Sequence, residues 1–157
     1  MTILVPAVSL VAGVLSALLA GLYLAFSLTV MPSLARLPDA VLVSVMQTIN
    51  RVIVQPGFVV LFLGAPLVAV AAAVLALVAG AGVVAVLVGA ALQVASIVIT
   101  AVVNIPLNIA LDRADPGDAG DVARAREAFE RPWVRAHGVR TAVTTLGAVA
   151  LLAAPLL

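Results

Sequence analysis

The residues best suited to chemistry are few, and two short segments hold the most distinctive of them. His137 is the only histidine and Arg140 follows it by three residues, so both side chains can lie on one side of a helix. A histidine with a partner in reach is suited to general-base chemistry. Asn104 and Asn108 bracket Pro106, and a proline leaves a carbonyl of the preceding turn without its hydrogen bond. Two amides beside a free carbonyl favour a ligand pocket over packing alone.

Further amides and aromatic residues extend this set. Gln47 and Asn50 belong to the polar side of an amphipathic segment, and their amides can donate hydrogen bonds to ligand oxygens. Tyr23, Phe26 and Trp133 can stack on the rings of an aromatic ligand. The sequence therefore predicts a site with a histidine, an arginine, several amides and three aromatic side chains.

Composition limits the cofactors that such a site can hold. The chain has no cysteine, which excludes disulfides, thiolate metal sites, iron–sulfur clusters and CxxC redox chemistry. The carboxylates fall in loops, so the single histidine has no predicted partners for binding zinc or haem iron. We therefore expect no metal. A net charge of +1 also argues against nucleic acid as a partner.

Hydropathy indicates that helices in a membrane must position these residues. Hydrophobic residues make up 65% of the 157 positions and charged residues 10%, and the mean hydropathy is +1.32. Soluble domains are about half apolar and about a quarter charged. A spanning helix needs about 20 apolar residues, and the charge-free runs are long enough for four such helices. We predict spans over residues of about 4–30, 57–79, 83–106 and 135–156, with a turn at residues 80–82 between the second and third.

All 15 charged residues lie in two loops, and each loop contains an amphipathic segment. These segments predict helices at the bilayer surface, over residues of about 39–54 and 119–131. The predicted fold is an all-α integral membrane bundle of four transmembrane helices, in one domain over residues 1–157. Arginine-rich loops tend to face the cytoplasm. We therefore expect cytoplasmic loops and external termini, in a bacterial inner membrane or another plasma membrane.

Polar residues inside the predicted spans also have an alternative, purely structural role. No span carries a deep carboxylate, so a small proton-coupled transporter is the least expected function. The third span carries a polar stripe made of Gln93, Ser96, Thr100, Asn104 and Asn108. Such side chains can hold helices together, with hydrogen bonds worth about 1 kcal/mol or less. The histidine and the tryptophan can likewise be interfacial residues without a ligand.

Four segments, spread over residues of about 21–141, carry a resemblance to a known family. They are Gly21–Leu34 (GLYLAFSLTVMPSL), Met46–Asn50 with Pro56–Phe58, Asn104–Asn108, and Phe129–Trp133 with Val139–Thr141. In this order they resemble blocks of the anthrone oxygenase-like family of small four-helix membrane proteins. The family commonly has an aromatic residue and an asparagine between the last two motifs, where this chain has Ala136, His137 and Gly138.

The resemblance implies oxidation of an anthrone-type polyketide to a quinone by O2, without a dedicated cofactor. A deprotonated anthrone is electron-rich enough to reduce O2 itself, so the protein supplies a base, donors for the enolate oxygen and a dry pocket. In that scheme His137 takes the proton and Tyr23, Phe26 and Trp133 stack on the rings. The enolate donors are Arg140, Asn104, Asn108, Gln47 and Asn50.

The predicted partners are the lipid bilayer, a lipophilic aromatic small molecule and O2. The sequence is also compatible with a homo-oligomer. The alternative to an oxygenase is a non-enzymatic membrane protein that binds a lipid, a quinone or a partner protein. Uptake of O2 in the presence of anthrone-like phenols separates the two readings.

Overall fold

The structure is a computed structural model that describes residues 3–80 and 83–156, and this part of the chain is all-helical. The predicted turn residues Ala81 and Gly82 lie outside the described residues. Seven α-helices and two π-turns follow one another along the described residues. They are α1 (Leu4–Ala25), a first π-turn (Phe26–Val30), α2 (Met31–Leu34), α3 (Asp39–Val52), α4 (Pro56–Ala79), α5 (Val83–Ile99), a second π-turn (Thr100–Asn104), α6 (Ile105–Leu111) and α7 (Ala119–Ala153), with a short 3₁₀ turn at Ala154–Leu156.

Four helical segments in the described chain are long and apolar enough to span a membrane, which confirms the predicted fold class. Their bounds are Leu4–Leu34, Pro56–Ala79, Val83–Leu111 and Ala119–Leu156. α1 packs against α4 and α7, and α5 also packs against α4 and α7. The four long helices therefore form a closed ring in which α1 lies diagonally across from α5.

The first and third spans are longer than the sequence predicts, because each continues through a proline. Pro32 and Pro106 each lie two residues after a π-turn. A proline ring clashes with the carbonyl four residues before it, and the wider π-turn relieves that contact. The N–H of Met31 bonds to the carbonyl of Phe26, and Ile105 bonds to Thr100 in the same way, five residues back. Both spans therefore continue for another turn or more into the charged end of the bundle.

The fourth span also differs from the sequence prediction, because its amphipathic segment is not a separate helix. α7 runs without interruption from Ala119 to Ala153 and contains Pro132. The Asp118 side chain caps its start by accepting hydrogen bonds from the N–H groups of Gly120 (2.8 Å) and Asp121 (3.1 Å). These two bonds hold the pKa of Asp118 below its ordinary value, and the bond from Asp121 has the larger effect.

Small residues allow α5 and α7 to approach closely. A Cβ added to Gly147 would lie 2.6 Å from Nε2 of Gln93 and 3.1 Å from the carbonyl oxygen of Gly89. The amide of Gln93 donates a hydrogen bond to the Thr144 carbonyl (3.1 Å), and the hydroxyls of Thr144 and Ser96 are hydrogen-bonded to each other (2.7 Å). This part of the predicted polar stripe therefore binds the two helices together, as interhelical hydrogen bonds do in lipid.

At the charged end, Arg126 joins α7 to the segment between α2 and α3. Its guanidinium donates hydrogen bonds to the carbonyls of Ala35 (2.9 Å) and Leu37 (2.8 Å) and to the Asp39 carboxylate (2.8 Å). A fourth bond reaches Glu130, one turn further along α7 (2.7 Å). α3 packs against α6 and α7, which places it across the charged end of the bundle.

Candidate functional site

A pocket of about 480 Å³ lies in the charged-loop half of the bundle. The end of α1, the first π-turn, α3, the first half of α4, α6 and α7 all contribute to its lining. Its volume falls within the range of small-molecule sites, about 300–1,000 Å³. Seven of the nine predicted site residues line it, namely Tyr23, Phe26, Asn50, Asn108, Trp133, His137 and Arg140.

Arg140 is the most unusual of the lining residues, because its charge is buried and has no counter-ion. The residue is 9% exposed, and none of the carboxylates that the structure describes lies within 4.0 Å of its guanidinium. Instead Nη1 donates to the Thr100 hydroxyl (3.2 Å), and Cζ lies 4.4 Å from the centre of the Tyr23 ring. A buried cation is normally paired, so this side chain can accept an anion from the pocket.

Both ring nitrogens of His137 are occupied, and the two bonds define its tautomer. Nδ1 lies 2.9 Å from Nε of Arg140, which can only donate, so Nδ1 carries the lone pair. Nε2 therefore carries the hydrogen and donates it to the Tyr23 carbonyl, 3.0 Å away. His137 is 1% exposed, so water does not compete for these bonds. The imidazole is neutral in this arrangement and holds the guanidinium in place.

The predicted role of His137 as a base does not fit this geometry. Its one lone pair already accepts from Arg140, and a proton there would place a second positive charge beside the guanidinium. The distance between the two side chains was predictable from their spacing. Which ring nitrogen faces the arginine was not predictable from the sequence.

Aromatic side chains form one wall of the pocket around the histidine. Trp133 stacks on His137, with ring centres 4.6 Å apart and planes within 12° of parallel. Phe26 and Tyr23 meet the imidazole edge-on, at 6.0 Å and 5.6 Å. An aromatic ligand that lies against this wall also meets the edge of Arg140, whose Cζ is 5.5 Å from the centre of the Trp133 ring.

Two asparagines present amide donors at the other end of the pocket. The indole N–H of Trp133 donates to Oδ1 of Asn108 (2.8 Å), so the amide nitrogen of Asn108 faces away from the tryptophan. Nδ2 of Asn50 is buried and has no hydrogen-bond partner among the described residues. Asn50 is on α3 and Asn108 is on α6, and these helices pack against each other.

Gln47 and Asn104, the other two predicted site residues, do not line the pocket. The Gln47 amide donates to the carbonyls of Leu111 (3.0 Å) and Ala114 (3.1 Å), so it satisfies the end of the third span. The amide of Asn104 donates to the Trp133 carbonyl at 3.4 Å, and its Oδ1 is buried without a partner in the described chain. Both residues hold helices that carry pocket residues.

Thr100 and Asp112 line the pocket but are absent from the predicted set. Thr100 belongs to the polar stripe of the third span, which is the signal that points to it. Asp112 is exposed and follows directly after α6. Its position among charged loop residues gives no indication that it borders a cavity.

One side of the pocket adjoins the outer surface of the bundle. Leu63 on α4 and Ile105 and Ile109 on α6 line the cavity, and each is also 43–50% exposed. Apolar side chains exposed on a spanning helix face lipid. The same three side chains therefore line the pocket and reach the outer surface of the bundle.

The residues around the pocket do not assemble a metal site. Across residues 3–80 and 83–156, no three His, Asp or Glu side chains gather closely enough to hold an ion. Both nitrogens of the single histidine have protein partners. The groups lining this site that can act on a ligand are a cation, a carboxylate, two hydroxyls, two amides and an aromatic wall.

Fold and site together define a multi-pass membrane protein with an apolar pocket built around a buried arginine. A sequence model of the family described as anthrone oxygenase matches residues 57–150, which is more than half of the chain. The chain therefore belongs to the anthrone oxygenase family. No curated protein and no solved structure matches it. Tyr23, Phe26 and Asn50 lie outside the matched range, yet they border the same pocket as His137 and Arg140.

Proposed function

We propose that this protein oxidises an anthrone-like or related phenolic substrate with O2, without a cofactor, and that Arg140 binds the substrate as its anion. The observation that carries the proposal is the buried guanidinium without a counter-ion, which faces a pocket large enough for fused rings. Family membership supports an oxygenase-like role. The substrate class is what the family resemblance implies, and the aromatic lining and the cation of the pocket are compatible with it.

The positive charge favours the reactive form of the substrate. An anthrone in equilibrium with its enol loses a proton to water, and the enolate is the species that reacts with O2. A guanidinium in a low-dielectric pocket binds this anion far more strongly than it binds the neutral form. No protein base is needed in this scheme, which agrees with the occupied lone pair of His137.

The reaction balances with O2 as the only oxidant. The carbanion carbon of the enolate forms a C–O bond to O2, which is reduced to the peroxide level, and a proton from water gives the hydroperoxide. Loss of the remaining hydrogen on that carbon then breaks the O–O bond and yields the second carbonyl and water. In sum, anthrone and O2 give anthraquinone and water, and the substrate itself supplies the electrons.

Oxygen uptake by the purified protein tests this function. We expect faster uptake with anthrone than with heat-denatured protein, and one quinone formed for each O2 consumed. The absorption spectrum of the active protein is expected to show no haem or flavin band. Tight binding of the aromatic anion without added O2 uptake would instead favour the non-enzymatic alternative.

The pH profile separates substrate ionisation from a protein base. We expect kcat/KM to rise with pH, with an inflection at the pKa of the substrate and a plateau above it. A more acidic anthrone should therefore move the inflection to lower pH. His137→Gln is expected to lower the rate, because the support of Arg140 is altered, but to leave the inflection where it is. An inflection that disappears in His137→Gln would restore the histidine as the base.

A further inference from the structure

We infer that the pocket recognises a ligand with two oxygens, an acidic one at Arg140 and a hydrogen-bond acceptor at Asn50 and Asn108. The inference rests on the proposed function and adds the substrate class. It starts from two amide groups whose N–H donors have no partner among residues 3–80 and 83–156. Nδ2 of Asn50 is buried without a partner, and a buried amide left unpaired is costly.

The second donor is directed by the tryptophan. An indole N–H only donates, so the bond from Trp133 holds the oxygen of the Asn108 amide and turns its nitrogen elsewhere. The side chain borders the pocket, and no described residue accepts a bond from that nitrogen. The two asparagines thus line the same cavity from two packed helices, and their amide donors suit a carbonyl or ether oxygen or a phenol that accepts hydrogen bonds.

Trp133 connects the two ends of the site. Its ring centre lies 5.5 Å from Cζ of Arg140, and its indole N–H donates to Oδ1 of Asn108 at 2.8 Å. An aromatic ligand that lies along this ring can therefore place one oxygen near Arg140 and another near Asn108. Phe26 and His137 pack on the same tryptophan and extend the aromatic wall.

The chain offers a direct binding assay. Trp133 is the only tryptophan, and it borders the pocket, so its fluorescence reports on a ligand without any requirement for turnover. The probes are matched pairs of fused-ring phenols that differ in one acceptor oxygen on the ring opposite the acidic group. Each hydrogen bond to an amide contributes about three- to tenfold in affinity.

We expect the oxygen-bearing probe to bind at least about fivefold more tightly to the wild-type protein, and Asn50→Leu to remove most of that difference. The ratio of two dissociation constants does not change when only a fraction of the protein is folded. Equal affinity for both probes in the wild type would overturn the inference, as would an unchanged ratio in Asn50→Leu. Ser44→Leu, an exposed position on the same helix that does not border the pocket, is the matched control.

The same measurement keeps this inference apart from the proposed function. If the protein discriminates between the probes but consumes no O2, the oxygenase proposal fails and the two-ended site stands. If O2 uptake occurs and depends on Arg140 while the probes bind equally, the oxygenase proposal stands and the amide end is rejected.

Discussion

Replacing Arg140 by methionine should separate stability from activity. The substitution removes a buried cation without a counter-ion, and the burial of such a charge costs several kcal/mol. It also removes two hydrogen bonds from a charged donor, to His137 and Thr100, of about 1.5–3 kcal/mol each. Lost contact with the aromatic rings adds about 0.5–2 kcal/mol. Gains and losses nearly offset, so we expect the free energy of unfolding to change by less than about 2 kcal/mol.

Activity should respond very differently to the same change. Removing one group that stabilises an oxyanion typically lowers kcat by about 10²–10³. The assay pairs thermal unfolding in detergent with O2 uptake, both measured on Arg140→Met and on wild-type protein. Arg135→Met is the matched control, because Arg135 is on the same helix, is exposed and does not border the pocket.

Two results would refute this reasoning. Quinone formation at the wild-type rate by Arg140→Met would show that the guanidinium does not bind the reacting anion. A marked drop in melting temperature, with activity lost only in proportion to the folded protein, would show that Arg140 serves the bundle.

Three further predictions concern the fold. Arg126→Ala should lower the free energy of unfolding by about 1–3 kcal/mol, measured by chemical denaturation, because the half-exposed Asp39 and two carbonyls lose their donor. Gly147→Ala should destabilise the bundle, because its Cβ meets the Gly89 carbonyl, whereas Gly64→Ala has no atom within 4 Å and should change the melting temperature little. For topology, an impermeant thiol reagent should label Ala81→Cys in intact cells and leave Asp118→Cys unmodified, and the reverse pattern would invert the orientation.

The fold was predictable because the charges are so unevenly placed. Lipid excludes charge, so residues 52–111, which carry none, had to contain two spans. The helix ends were harder to predict, because sequence rules end a helix near Pro32 or Pro106, and a π-turn lets it continue. The continuity of α7 was hard to predict for a similar reason, because a proline indicates a helix boundary and α7 continues through Pro132.

The residue types that line the pocket were predictable, but which individual side chains line it was not. Asn104 and Asn108 are four residues apart, yet one is buried against the Trp133 carbonyl and the other borders the pocket. Likewise Gln47 holds the end of the third span, whereas Asn50, three residues later, faces the cavity. Spacing along an ideal helix cannot distinguish these neighbours, because packing partners decide which face is enclosed.

The two π-turns make the pocket depend on the length of the chain as well as on its side chains. A π-turn is equivalent to one extra residue in an α-helix, and one residue corresponds to a rotation of about 100°. Each π-turn therefore rotates the part of the span at the charged end relative to the part inside the bundle. As a result, a different face of the helix points inward on each side of the turn. Deleting a single residue from Phe26–Val30 or from Thr100–Asn104 would leave both halves helical while turning the pocket side chains beyond it toward the lipid. Homologues with a working pocket should vary in the residues of these turns far more readily than in their number.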